Sequence, residues 1–131
     1  MATNNSRPVV VKRVPEHVNA RTARRFWADI QPFLGIDRPQ LVFDFSAVEQ
    51  LDAAGVEMLL RCVFEVHKRD GDLKLASLSE PAAVVLELTR AERLFEIYDT
   101  PVDAVRSFSG FLPNAMRQQL LHKRRPFPAA A

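Results

Sequence analysis

Few side chains in this chain are equipped for nucleophilic, proton-transfer or metal chemistry. The candidates are one thiol, Cys62, and three imidazoles, His17, His67 and His122. A thiolate–imidazole nucleophile needs both groups within hydrogen-bond reach, and a zinc site needs three or four donors at short recurring intervals. Neither pattern is present, because no Ser, Cys or carboxylate stands at a recognisable motif spacing from a histidine. A lone cysteine forms no internal disulfide. Phosphate binding would call for a glycine-rich loop, which is missing. The expectation is therefore no catalytic residue, no metal centre and no cofactor. Cys62 reads as small apolar packing, since no cation is placed by sequence to lower its pKa, and His67 reads as a capped or half-buried core residue.

The stretch that most resembles a site is LDAAGVEMLL, Leu51 to Leu60. Asp52 suits an N-cap, accepting from the backbone N–H of Ala54 or Gly55 and contributing about 1 kcal/mol. The first turn after it offers only methyls. On a helical wheel Val56, Leu59, Leu60, Val63 and Val66 fall on one side with His67, while Glu57, Arg61, Glu65 and Lys68 fall opposite. Burying the first four aliphatics is worth roughly 6 to 12 kcal/mol before entropy. On the polar side Ala54 lies in line with Met58 and Arg61, so Met58 is expected at the surface as an adaptable apolar contact. This pattern describes a surface for holding another molecule more than one for reacting with it.

The elements that must position this turn follow from periodicity. Val9 to Val14 is β-branched and closed by Pro15, a strand. Asn19 caps a helix with Ala23, Phe26, Trp27, Ile30 and Leu34 on one side, broken at Gly35 to Pro39. Leu41 to Ser46 alternates as a strand, with Leu41, Phe43 and Phe45 facing one way. The central helix ends near Asp70-Gly71, and Leu73 to Leu78 is the next strand. Ser79 and Pro81 open a short helix bearing Val84, Val85 and Leu88. Leu94 to Tyr98 is a further strand, and Thr100 to Asp103 has capping spacing for a last helix through Val105 and Phe108. Alternating strands and helices predict an α/β domain, with a mostly parallel mixed sheet of four to five strands and about four helices.

With 131 residues there is room for one domain. Its expected limits are a flexible leader over 1–8, the domain over 9–108 and a basic extension over 109–131 that includes His122 to Arg125. Eighteen Lys and Arg against sixteen Asp and Glu give a net charge of +2, too small for a nucleic-acid footprint. No apolar run reaches bilayer length and no signal peptide opens the chain, so a cytoplasmic protein without membrane insertion is expected.

LVFDFSAVEQLD, AAGVEMLL, KRDGDLKLASLSEPAAVVLELT and RLFEIYDTPVDAV together resemble the STAS family, shared by sulfate transporters and anti-sigma-factor antagonists. The resemblance runs from about Val9 to Phe108. It implies a small sheet with helices against it, and a bacterial regulatory module that binds an anti-sigma factor or related kinase-like protein. In that branch the motif reads Asp-Ser-Ser-Gly and its second serine is phosphorylated by the partner. By position Asp52 matches the acid and Gly55 the glycine, while Ala53 and Ala54 replace both serines. An alanine methyl cannot accept a phosphoryl group, so the usual switch is lost at Ala54.

The family's Gly-Glu-Leu-Asp before the first helix is matched by Glu16, His17, Val18 and Asn19. Arg90 stands where a glycine is common, and a positive φ there would cost roughly 1 kcal/mol. The residues expected to touch a partner are His17, Val18, Asn19, Asp52, Ala53, Ala54, Gly55, Glu57, Met58 and Arg61. Two other roles fit the same resemblance: an accessory subunit of an ABC-type phospholipid transporter, or a scaffold subunit of a signalling assembly. Self-association into a homo-oligomer is compatible with each.

Overall fold

Strand and helix alternate as the periodicity predicts, and the computed structural model describes this arrangement over residues 8–109. The expected leader and basic extension lie almost wholly outside the described residues. Strands β1 (Val10–Arg13), β3 (Gln40–Asp44), β5 (Asp72–Ala76) and β6 (Glu96–Tyr98) form one sheet in the order β1-β3-β5-β6, every pair parallel. A second, two-residue ladder, not anticipated from the sequence, pairs β2 (His17–Val18) with β4 (Gln50–Leu51), also in parallel.

The main sheet always grows in one direction. Right-handed crossovers then place every connecting helix on one face. Helices α1 (Ala20–Leu34), α2 (Ala53–Lys68) and α3 (Glu80–Leu88) accordingly share one apolar cluster with Leu41, Phe43, Leu73, Leu75 and Ile97. Phe26 of α1 meets Phe43 of the sheet edge-on, with ring centroids 5.0 Å apart. The last helix, α4 (Pro101–Ser107), covers the opposite face, where Val42, Ala76, Tyr98 and Ala104 form a second cluster. The inner strands β3 and β5 are thus buried on both sides, as parallel strands of this kind require, while the edge strand β1 leaves Val11 and Arg13 exposed.

Helix ends follow the capping chemistry closely. Asn19 Oδ1 accepts from the N–H groups of Arg21 and Thr22, and Thr22 Oγ1 accepts from the Asn19 N–H in return. Ser79 caps α3 and Thr100 caps α4 through their hydroxyl oxygens. At the end of α2, Asp70 takes the left-handed conformation (φ 61°), while the Asp70 and Gly71 N–H groups reach the carbonyls of His67 and Val66. This is the paired-bond C-terminal stop usually given to glycine at the left-handed position. Gly71 serves a different need, since a Cβ there would sit 2.1 Å from the Pro39 carbonyl oxygen.

Three expectations need correcting here. Leu94 belongs to a 3-10 turn, Ala91–Leu94, ahead of β6, not to the strand itself. The buried face of α3 is Ala82, Ala83 and Leu86, which leaves Val84 and Leu88 exposed. His67 is exposed as well, because the last turn of α2 turns Val66, not His67, into the core; its ring lies 3.7 Å from Asp72. Arg90, in contrast, does adopt the left-handed conformation (φ 64°) foreseen for it.

Candidate docking surface

The start of α2 is held in place by backbone geometry. Asp52 Oδ1 accepts from the Gly55 N–H at 3.1 Å, and the Asp52 N–H donates to the Val18 carbonyl. Gly55 is buried: a Cβ on it would lie 2.5 Å from Leu51 Cδ1 and 2.7 Å from Val18 Cγ1. Without a side chain there, the first turn settles onto the β2–β4 ladder, and neighbouring residues turn outward. Ala53 is exposed and Ala54 half-buried, so methyls reach the surface at the helix N-terminus.

Around this turn the surface is mixed. Asp52, the N-cap, and Glu57 and Arg61 of α2 are exposed, and His17 and Asn19 are exposed on the neighbouring segment. Arg61 places its guanidinium 4.8 Å from the centroid of Trp27 on α1, a cation–π contact that ties the two helices together. Between the ladder and α3 a cleft of about 320 Å³ is lined by Asn19, Glu49, Asp52, Pro81 and Val85, among others.

Of the ten residues expected to contact a partner, seven lie at least partly at the surface and three do not. Val18 and Gly55 are buried beneath the turn, and Met58, expected outside, is only 5% exposed. Met58 shares the apolar cluster with Ala23 and Phe26 of α1, because α1 packs alongside α2 and covers that flank. These three shape the surface from below instead of forming it.

The thiol is inert. Cys62 is fully buried, burial pushes its pKa up to about 12, and its S–H points to Met58 Sδ at 3.6 Å. That agrees with its reading as apolar packing. The fold also brings together what the sequence keeps apart. Ligand atoms of Glu16, His17 and Glu49 lie within 4.8 Å of one another, all three residues exposed, although no short sequence spacing announces them. On the far face of the sheet Lys74 is buried, its Nζ 3.1 Å from Glu96 Oε1 and 2.6 Å from Ser107 Oγ, and 4.2 Å from the centre of the Phe108 ring.

A domain of four parallel strands, with three helices on one face and one on the other, is also what a known family builds. Residues 1–104 match the family model of the STAS domain. This chain belongs to the STAS family. Among solved STAS-like structures, a candidate anti-sigma factor antagonist of Thermotoga maritima is 24% identical, with a TM-score of 0.68 over 76% of this chain and 86% of that one. An anti-sigma-factor antagonist (STAS) domain protein of Planctomyces limnophilus is 18% identical, with a TM-score of 0.64 over 70% and 80%. The STAS domain of a Vibrio cholerae SulP transporter is 16% identical, with a TM-score of 0.63 over 79% and 82%. At these identities the likeness establishes the STAS fold. No helix among the described residues of this STAS domain is long and apolar enough to cross a membrane.

Proposed function

We propose that this STAS domain is a non-enzymatic protein-interaction module of the anti-sigma-factor-antagonist kind, acting in transcription regulation in a bacterial cytoplasm. Its partner is an anti-sigma factor or a related regulatory protein. The observation that carries this reading is the open first turn of α2, where two alanine methyls reach the surface between Asp52, Glu57 and Arg61, beside His17 and Asn19. Small side chains at a helix start let another backbone approach closely, and the charges around them set orientation and partner choice. The likeness to the Thermotoga and Planctomyces structures supports the same assignment.

By the resemblance read from the sequence, Ala54 stands where the regulatory branch of the family carries its phosphorylated serine. It has no oxygen to accept the group, so in this reading binding is either constitutive or controlled by the amount of protein. The test is calorimetric titration of the purified anti-sigma factor of the same organism with wild-type and Ala54→Glu protein. A carboxylate at the centre of the contact should weaken binding by about tenfold or more, roughly 1.4 kcal/mol, with an unchanged melting curve. Equal affinities would mean that the face is misassigned.

A second reading is favoured by the Vibrio transporter domain, whose fold this chain shares. In that reading the protein is an accessory subunit docked on a transporter, for which an ABC-type phospholipid system is the specific candidate. Stable recovery with a membrane complex after detergent extraction would support it over the antagonist role.

A further inference from the structure

We propose that Glu16, His17 and Glu49 bind a single divalent transition-metal ion of the zinc class. Two carboxylates and one imidazole form a donor set that suits borderline ions, whereas calcium and magnesium favour oxygen alone. One ligand atom from each side chain already lies within 4.8 Å of the other two. Donors on a common zinc ion stand about 3.4 Å apart for bonds of about 2.1 Å, so small rotations of exposed side chains close the site.

The backbone beneath these side chains is fixed by more than the helix and sheet frame. The N–H groups of Glu49 and Gln50 both donate to the Glu16 carbonyl, at 2.7 and 3.0 Å. His17 and Gln50 are partners in the two-residue ladder, and the His17 carbonyl accepts from Thr22 Oγ1 at 2.6 Å. Two segments more than thirty residues apart are thereby locked side by side with their donors on one surface.

The imidazole has the outer contact that metal-binding histidines use. Gln50 Oε1 lies 3.0 Å from His17 Nδ1. A proton donated from Nδ1 to this oxygen leaves the Nε2 lone pair for the ion and holds the ring in place. Bringing two carboxylates together is unfavourable without a cation, and a bound ion offsets that repulsion. Three protein ligands leave at least one coordination position open to water or to a donor from another molecule. The assignment does not depend on the proposed partner, although His17 belongs to both surfaces.

Titration of the 131-residue chain with zinc chloride by calorimetry tests it. One ion per chain is expected. His17→Ala and Glu49→Gln should each weaken binding by more than about tenfold, Gln50→Ala by about tenfold, and His67→Ala not at all. Because the ligands are exposed, melting curves should stay unchanged. Cobalt(II) used as a paramagnetic probe gives a readout on the unaltered protein: amide signals of residues 16–18 and 48–51 should broaden first. Absence of saturable zinc binding at about 1 mM, undiminished affinity in His17→Ala, or broadening centred on His67 and Asp72 would overturn the proposal.

Discussion

A β-carbon on Gly55 would stand 2.7 Å from Cγ1 of Val18, closer than carbon atoms pack. That close approach is what seats α2 on the β2–β4 ladder and fixes the height of the Ala53–Ala54 turn above it. Gly55→Ala therefore sets overpacking of about 1–3 kcal/mol against a helix-propensity gain of about 1 kcal/mol. A net loss of up to about 2 kcal/mol is expected in urea unfolding. Partner affinity should fall as well, because the whole turn is lifted.

Ala54→Ser restores an acceptor oxygen at a half-buried position in the first helical turn. Incubated with an anti-sigma kinase and labelled ATP, the wild type should take up no phosphate within residues 51 to 56, while the variant should be labelled at position 54. A phosphoserine there adds close to two negative charges to the docking face and should release the partner. Labelling of the wild-type segment would remove the argument for constitutive binding.

The buried Lys74 makes a prediction about stability alone. Removing the counter-charge with Glu96→Ala leaves an ammonium in a nearly dry setting, and breaking such pairs costs about 3–5 kcal/mol. Glu96 keeps a third of its side chain in solvent, so a loss near about 3 kcal/mol is expected in chemical denaturation. Lys74→Met should cost less than Glu96→Ala, since it removes the charge that needs a partner and keeps contact with the Phe108 and Tyr98 rings.

The burial of Asp72 sets the sign of one pH dependence of stability. Burial raises its pKa above the usual carboxylate value, against a smaller opposing pull from Lys74. A carboxyl group whose folded pKa is raised disfavours the fold wherever it is ionised, and the penalty fades as pH falls through the folded value toward the unfolded one. Asp72→Asn should therefore raise the melting temperature at pH 7 and lose this advantage below about pH 4. Its side chain is 42% exposed, so solvent keeps the effect small. An advantage that grows on acidification would contradict the assignment.

Much of this architecture was legible in the sequence because its signals are local. Asn19, Asp52, Ser79 and Thr100 cap the helices foreseen for them, and Leu41, Phe43 and Phe45 share the face read from alternation. The failures involve neighbours distant along the chain. A helical wheel gives the direction of Met58 but not the width of the covered face, which α1 sets. Lys74 alternates with Leu73 and Leu75 like a solvent-facing residue, and only the return of α4 across that face buries it. Glu16 and Glu49 meet through a ladder two residues long, too short to leave a period of its own in the sequence.

The strand order carries a consequence for assembly. It places β1 and β6 at the rims of the main sheet, and these rims are only four and three residues long. Pro8 and Pro15 bracket the first rim, and Lys12 and Arg13 lie within it. A charged, proline-flanked first rim and a second rim of only three residues discourage a neighbouring chain from adding another strand, which lowers the risk of fibrillar aggregation. The rims of the sheet are thereby poor templates for backbone zippering with another chain.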